Sequence, residues 1–149
     1  MNKEEIKNLA IKVLEDGYLM SLGTVDDGGV WVADVIYIHD ENFNLYWLSF
    51  PQTRHSKAIE NNGKVACTIT TSWETNMERA LQIEGVAEKV DGPLFEYEKK
   101  LALKRGMEVP EKAGYVLEDG HSWYVLKPTK VELIHSQPFG YKKQIVVLE

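Results

Sequence analysis

The chain has 149 residues, of which 17 are Lys or Arg and 23 are Asp or Glu, so its net charge is −6 and its pI about 5.3. This length suits one domain that buries roughly two-thirds of its unfolded surface. The acidic balance excludes a general nucleic-acid binder, whose surface would be basic. The single cysteine, Cys67, excludes an intrachain disulfide and a CxxC metal site. The four histidines lack the spacing of metal ligands, so we expect no metal.

No apolar run approaches the length that spans a membrane, and the first residues are charged and amphipathic, unlike a secretory signal. We therefore expect a cytoplasmic protein with no membrane partner. The first predicted element is a helix over residues 3–15, whose apolar side chains recur at helical spacing. A strand over residues 18–25 and a hairpin turn at residues 26–29 follow it.

Residues 30–39, VWVADVIYIH, predict one long strand. Both of its faces are mostly apolar, which is typical of a strand that is buried on both sides. Three tryptophans, Trp31, Trp47 and Trp123, fall in predicted strands, and we expect all three in the core.

The most informative stretch is residues 45–69, LYWLSFPQTRHSKAIENNGKVACTI. Its first strand ends at Ser49, because Pro51 has no N–H for a strand ladder. Thr53 is the expected N-cap of a helix that runs to about Asn61. The β-branched residues over 65–71 predict the next strand.

The first turn of that helix is chemically unusual. Helix N-termini favour acidic side chains because their free N–H groups carry the positive end of the dipole. Arg54 and Lys57 stand there instead, and with the hydroxyls of Ser49, Thr53 and Ser56 they would form a cradle for a phosphate. The alternative is that both cations are solvated and the hydroxyls only cap the helix. The residues alone leave both interpretations open.

The second half of the chain predicts further strands. Residues 80–90, ALQIEGVAEKV, mostly alternate between apolar and polar, and Gly85 in their middle indicates a bulge or the close approach of another backbone. Pro128 and Thr129 predict a turn between two short strands. The other predicted elements are a polar loop over 72–78, a helix over 93–105, an irregular segment over 108–120, strands over 122–127 and 130–135, a loop over 136–141 and a strand over 142–148. This pattern favours a mainly β domain of the α+β class, a closed antiparallel barrel with short helices outside.

The order of these segments resembles the pyridoxamine 5′-phosphate oxidase-like, FMN-binding split β-barrel family. The segments SFPQTRHSKAIENNGKVA and ALQIEGVAEKV carry the resemblance, and PTKVELIHSQPFGYKK is similar to the ending of a smaller bacterial subgroup. The resemblance implies a split antiparallel β-barrel formed by residues 1–149 as a single domain. It also implies a homodimer that holds FMN in a cleft between its two subunits.

Carried onto this chain, the resemblance implies roles for particular residues. Leu48 and Ser49 would lie against the flavin ring and ribityl chain, and Gln82 lies in a strand that approaches the flavin in relatives. The phosphate would be held by the turn whose residues are Thr53, Arg54, His55, Ser56 and Lys57. The oxidase's own substrate contacts are missing, because Ala33 and Ile38 stand where it carries basic residues. Oxidation of pyridoxamine phosphate is therefore not predicted.

Three residues outside this stretch are further candidates. Trp73 lies in a polar loop, so we assign it to a subunit interface or to the edge of the flavin. Phe139 and Lys142 flank Gly140 in a loop that, by the resemblance, closes the cleft from the neighbouring subunit. Two aromatics and two cations in this loop suit a flat anionic ligand. An ordinary hairpin loop with solvated lysines is the alternative.

Three functions fit these residues. The first is a flavin-dependent oxidoreductase that acts on an unknown small molecule, with NADH or NADPH as a candidate electron donor. The second is a non-catalytic module for a flavin, a deazaflavin or haem, in which His55, His121 or His135 would ligate the iron. The third is a barrel that has lost its cofactor, against which the cations at the helix start count.

Overall fold

The computed structural model describes residues 1–148, which form an antiparallel sheet curled into a barrel, with short helices around it. The strands are β1 (Leu19–Asp26), β2 (Gly29–Ile36), β3 (Ile38–His39), β4 (Leu45–Ser49), β5 (Lys64–Ser72), β6 (Arg79–Val90), β7 (Ser122–His135) and β8 (Gln144–Val146). The helices are α1 (Lys3–Asp16), α2 (Arg54–Asn61), α3 (Phe95–Lys104), α4 (Tyr115–Glu118) and α5 (Ser136–Phe139). The chain is thus mainly β within the α+β class, a split antiparallel β-barrel with short peripheral helices, as predicted.

The barrel is closed by one bent segment of chain. The strand order is β2-β1-β5-β6-β7-β4-β3, and β8 pairs with β7. Only Tyr37 separates β2 from β3, yet β2 pairs with β1 at one end of the sheet while β3 pairs with β4 at the other. The two sheet ends therefore meet at this bend. Before the bend, β2 diverges from β4, and the barrel is split between them.

Tyr37 fixes the bend through contacts with two helices. Its side chain is fully buried, and its hydroxyl donates a hydrogen bond to the Leu14 carbonyl of α1 at 2.7 Å. Its own carbonyl accepts a hydrogen bond from Lys104 at the end of α3, and the Lys104 ammonium lies 3.6 Å from the Tyr37 ring centroid. Burial lowers the pKa of Lys104 to about 8 and raises that of the Tyr37 phenol. One residue thus joins both sheet ends to α1 and α3.

The barrel interior is the main hydrophobic core. Trp47 and Trp123 are fully buried, which confirms their prediction as core residues. Trp47 lies in the barrel core, whereas Trp123 packs in a second cluster under α3 with Ile38 and Leu101. The face of α1 that carries Ala10, Val13 and Leu14 covers the barrel, as its helical periodicity predicted.

The prediction for residues 30–39 was wrong in two respects. The segment is two strands rather than one, because the chain bends at Tyr37 to reach the other sheet end. It is also not buried on both faces: Val30 is 73% exposed and Val32 60% exposed. Trp31 is likewise exposed rather than in the core. The reason is topological, since β2 is an edge strand whose ladder is with β1.

The long antiparallel ladder of β6 and β7 is irregular where Gly85 pairs with Pro128. The two residues pair directly, and the register shifts between Glu84 and Gly85. The sequence predicted this irregularity at Gly85. The predicted turn at Pro128 and Thr129 was wrong, because β7 continues through both residues. A bulge removes the need for a ladder N–H, so proline is tolerated there.

Smaller differences concern the irregular segments. The segment over 108–120 contains α4, the loop over 136–141 begins with α5, and the last strand has only three residues. Asn62 closes α2 with extended backbone. Among the described residues, no helix combines the length and apolar character needed to cross a membrane.

The close approach at Gly85 generates a stability prediction. A Cβ atom at Gly85 would overlap the Lys127 carbonyl oxygen of the paired strand and lie 2.9 Å from a Leu126 methyl group. We expect Gly85→Ala to lower the free energy of unfolding by about 1–3 kcal/mol, the usual cost of overpacking. Urea unfolding measures this value.

The matched control is Gly23→Ala on β1. A Cβ there would make an ordinary contact, 3.4 Å from the Ala66 carbonyl oxygen. We expect that variant to stay within about 0.5 kcal/mol of the unaltered protein. Equal stability of the two variants would contradict the steric argument for Gly85.

Candidate functional site

A depression of about 530 Å³ opens where the barrel is split, between β2 and β4. We call it the split pocket. Its apolar walls come from β1, β2, β4, α3 and α4, namely Leu19, Val35, Ile36, Leu48, Leu101 and Val116. Its polar groups are Asp34, Ser49, Thr53, His55, Arg105, Tyr115, Asp119 and His121. Four of the predicted site residues, Leu48, Ser49, Thr53 and His55, therefore meet in one pocket.

Ser49 and His55 form a hydrogen-bonded pair in the wall of the split pocket. Ser49 ends β4 on the same face as Leu45 and Trp47, and His55 is the second residue of α2. Ser49 Oγ lies 2.7 Å from His55 Nε2, and both residues are buried. Burial lowers the pKa of the His55 imidazole below its ordinary value. The imidazole is therefore neutral at pH 7.

Thr53 brings this pair together by fixing the start of α2. Its backbone is extended, and its hydroxyl oxygen accepts a hydrogen bond from the Ser56 amide at 3.3 Å, which confirms the predicted N-cap. The same oxygen lies 2.7 Å from Ser56 Oγ and 3.0 Å from the Phe50 carbonyl oxygen. Ser56 itself lines a neighbouring depression of about 340 Å³. The hydroxyls at the helix start thus form one connected group.

Arg54 already has an anionic partner. Its guanidinium donates to both carboxylate oxygens of Asp26, at 2.9 and 3.1 Å, and its Cζ lies 4.6 Å from the Trp31 ring centroid. The Arg54 hydrogen bond holds the pKa of the Asp26 carboxyl below its usual value. The sequence predicted an anion beside this cation. In the folded chain the Asp26 carboxylate is an anion that binds it.

Lys57 is the remaining cation of this turn. It is exposed on the first turn of α2, and within residues 1–148 its ammonium has no hydrogen-bond or ion-pair partner. Because Arg54 and Asp26 neutralise each other, Lys57 carries the net positive charge at this helix start.

Gln82 lies outside the split pocket. It belongs to a hollow of about 420 Å³ on the outer face of the sheet, which we call the sheet face. The sheet face comprises Ser21, Gly23, Val32, Ala66, Thr68, Gln82, Glu84, Lys130 and Glu132. The exposed Val32 of β2 lines this hollow at one side, and charged side chains of β6 and β7 line it at the other.

The three remaining candidates lie on two segments that a hydrogen bond connects, the loop before β6 and the segment that begins with α5. The Ser136 hydroxyl donates to the Glu78 carboxylate at 2.6 Å, which ties the loop that carries Trp73 to α5. Trp73 is 80% exposed, Lys142 is exposed, and Phe139 packs partly buried against the core. None of these three residues lines the split pocket of its own chain.

Several polar groups of the split pocket were not singled out from the sequence. Asp34 is the only charged residue in the predicted strand VWVADVIYIH. A single carboxylate among apolar residues was the sequence feature that could have identified it as a site residue. Arg105 and Asp119 come from segments without a clear pattern, whereas His121 was considered only as a haem ligand. Glu98 positions that region, because both of its carboxylate oxygens accept the Gly114 amide at 2.9 and 3.0 Å, just before α4. Within residues 1–148, no group of three or more His, Cys, Asp or Glu is placed to hold a metal ion.

Solved structures resemble the chain at low sequence identity. A Listeria innocua protein named after pyridoxamine 5′-phosphate oxidase superposes with a TM-score of 0.68 at 15% identity, over 87% of this chain and 98% of its own. The chain has the split-barrel fold of pyridoxamine 5′-phosphate oxidase-like proteins. An FAD-binding protein from Mesorhizobium loti gives 0.61 at 17% identity, over 81% and 88% of the two chains. A haem-binding protein from Mycobacterium smegmatis gives 0.67 at 16% identity, over 95% of this chain and 57% of its own.

No protein-family model matches the sequence, and no curated protein matches it either. The structural similarity therefore establishes the fold. The chemistry of the site is the basis for inferring the bound group and the reaction.

The buried His55 generates a prediction for stability against pH. Its pKa is lower in the folded chain than the value of about 6.5 in an unfolded one. The unfolded chain then binds more protons below about pH 6.5, so stability falls as the pH drops through that window. We expect His55→Gln to weaken this fall in melting temperature between pH 7.5 and 5. His135, whose pKa is also lowered, accounts for part of the remainder.

The control is His39→Gln, since within residues 1–148 the one hydrogen bond of that ring is to the neighbouring Asp40 carbonyl, at 3.2 Å. It should leave the pH dependence of the melting temperature unchanged. If His55→Gln unfolds with the same pH dependence as the unaltered protein, the imidazole is not held neutral by burial.

Proposed function

We propose that the chain binds FMN with its ring in the split pocket and serves as a flavin-dependent oxidoreductase for a small molecule. The observation that carries the proposal is the meeting of an apolar pocket and a hydroxyl-rich helix start at the split of the barrel. The structural likeness to an FAD-binding protein and to a protein named after an FMN-dependent oxidase supports the choice of a flavin.

The split pocket suits the flavin ring in size and lining. Its volume of about 530 Å³ lies within the roughly 300–1,000 Å³ of small-molecule sites, which are mostly apolar with a few polar groups. Leu48 and Ile36 offer apolar contact, while the Asp34 carboxylate offers a hydrogen-bond acceptor to the polar edge of a ring. Bound FMN would supply hydride transfer, and these residues would orient it and exclude water.

The start of α2 suits the phosphate. The first N–H groups of a helix have no partner within the helix and face an anion at its N-terminus. Thr53 and Ser56 add hydroxyls, and Lys57 adds a net positive charge. Arg54 contributes mainly by neutralising Asp26, which would otherwise repel the phosphate.

This division of roles predicts different effects of three substitutions on the affinity for FMN. A charge-assisted hydrogen bond is worth about 1.5–3 kcal/mol, so Lys57→Ala should weaken FMN binding by about tenfold or more. Arg54→Ala should also weaken it, because it exposes the Asp26 carboxylate. Adding Asp26→Asn to Arg54→Ala should restore part of the affinity. Fluorescence titration measures all three variants.

Riboflavin, which lacks the phosphate, is the matched ligand. Its affinity should be the same in all of these variants. A protein that binds no FMN contradicts the proposed function. Equal FMN affinity of Lys57→Ala and the unaltered protein contradicts only the role of the helix start.

We also propose a homodimer in which a second copy covers the sheet face. Val32 exposes apolar surface there, Val30 is exposed beside it on the same side of β2, and a monomer would leave this surface in water. A second copy would also explain the candidate residues that lie away from the split pocket. Trp73, Phe139 and Lys142 would then act on the site of the neighbouring subunit.

The dimer predicts a mass of twice 17.0 kDa by light scattering at micromolar concentration. Val32→Glu should shift the mass toward the monomer, because it buries a charge at the proposed interface. Leu103→Glu is the control, since Leu103 is similarly exposed but lies on α3. A monomeric unaltered protein would refute the shared site.

Haem binding is the second candidate function, favoured by the likeness to a haem-binding protein and by one residue of the pocket. His121 lines the split pocket, its ring stacks on Phe50 at a centroid distance of 4.0 Å, and its Nδ1 has no partner within residues 1–148. The absorption spectrum of the purified protein separates the two functions, because haem gives an intense Soret band and oxidised flavin does not.

A further inference from the structure

The hydrogen bond between Ser49 and His55 has a geometry that binding alone does not require. A hydroxyl and an imidazole lie 2.7 Å apart in the wall of a pocket that is open to small molecules. Pairs within about 2.6–3.2 Å are the arrangement in which a base activates a hydroxyl. Because the imidazole is neutral, it is ready to accept a proton rather than to donate one.

The local fold makes Ser49 Oγ the main hydrogen-bond partner of His55 Nε2. Within residues 1–148, the only other hydroxyl within hydrogen-bond distance of this nitrogen is Thr53 Oγ1, at 3.4 Å. That hydroxyl already lies within hydrogen-bond distance of Ser56 Oγ and of the Phe50 carbonyl oxygen. The proton of Ser49 therefore has one good acceptor, the ring nitrogen of His55.

We propose that Ser49 and His55 are the proton-accepting pair for the compound that is oxidised in the split pocket. This inference rests on the proposed function, which supplies oxidised FMN as the hydride acceptor. Ser49 is the catalytic residue that touches the substrate, and His55 is a positioning residue that acts through it.

The step balances in atoms and charge. The C–H bond of a CH–OH or CH–NH group breaks, and its hydride leaves for the oxidised ring. The O–H or N–H proton of the substrate moves to Ser49 Oγ while the proton of Ser49 moves to His55 Nε2. The products are a carbonyl compound or an imine, a reduced flavin and an imidazolium. His55 then returns its proton to water.

Other ionisable side chains face the same pocket from each neighbouring element. They are Asp34 of β2, Arg105 after α3, Tyr115 of α4, and Asp119 and His121 before β7. Arg54 and Lys57 lie on α2 itself. Arg54 is paired with Asp26, and none of these groups is hydrogen-bonded to Ser49 or His55 within residues 1–148.

A thiol at position 49 tests the pair without any cofactor. The test protein carries Ser49→Cys with Cys67→Ala, so that it has one thiol, and its partner carries His55→Gln in addition. An imidazole neighbour at a helix start lowers the pKa of a thiol from about 8.5 to between about 3.5 and 7.5. At pH 6.5 we expect iodoacetamide to alkylate the protein with His55 about tenfold faster or more than the protein with His55→Gln. The pH profile of the rate should also move to lower pH.

Equal rates and equal pH profiles in the two proteins would overturn the inference, and so would a thiol that iodoacetamide never reaches. A second measurement uses the unaltered protein. Nitrogen NMR of the His55 ring should show a neutral imidazole at pH 6, with Nε2 as the unprotonated nitrogen. A ring that is protonated at pH 6, or that carries its proton on Nε2, contradicts the pair even where the thiol variants fail to fold.

The two proposals fail in different ways. A protein that binds no FMN contradicts the proposed function and with it the hydride step. A protein that binds FMN but whose introduced thiol is indifferent to His55 contradicts only the proton-accepting pair. Partial protection of the thiol from iodoacetamide by FMN supports both, because it places the cofactor beside Ser49.

Discussion

The bend at Tyr37 is the constraint on which the rest of this structure depends. One residue must end the ladder of β2 with β1 and begin the ladder of β3 with β4, so the chain itself joins the two sheet ends. A phenol in the barrel core would be costly without a partner, and the Leu14 carbonyl supplies one. The Tyr37 carbonyl is satisfied by Lys104. Because both polar groups of the bend are paired to helices, α1 and α3 are attached at the point where the barrel closes.

The split pocket is a consequence of this closure. A strand that continued straight from β2 would keep its distance from β4 along the whole edge, whereas the bend brings only its last residues into register with β4. The gap beside Asp34 and Val35 then opens toward the end of β4, where Ser49 lies. The return of the chain through Thr53 places His55 against Ser49. The site is therefore built at the edge of regular structure, where a strand ends, a helix starts and two neighbouring strands diverge.

The sequence was sufficient for most of the fold, and it named four residues that the fold brings into one pocket, Leu48, Ser49, Thr53 and His55. The failures have physical causes. Alternation and turn residues predicted the strands, and the backbone approach at Gly85 was readable because a strand tolerates glycine for few other reasons. Burial of β2 was not predictable, because an apolar strand at a sheet edge has the same pattern as one at the centre. Trp31 was misplaced for the same reason. The partner of Arg54 could not be identified from the sequence because Asp26 lies at the end of β1, 28 residues earlier, and such a pairing depends on tertiary structure.

That pairing changes how the helix start recognises an anion. Two basic residues in the first turn of α2 suggested two cations for one phosphate, but the guanidinium of Arg54 is shared with Asp26 and stacked on Trp31. The β1–β2 hairpin is thereby fastened to α2, and β2 also forms the rim of the split pocket at Asp34. An anion that drew Arg54 away from Asp26 would loosen the hairpin and alter that rim. The Arg54–Asp26 ion pair thus couples two parts of the site. It links the charge at the start of α2, where the phosphate would bind, to the shape of the split pocket, where the ring would bind.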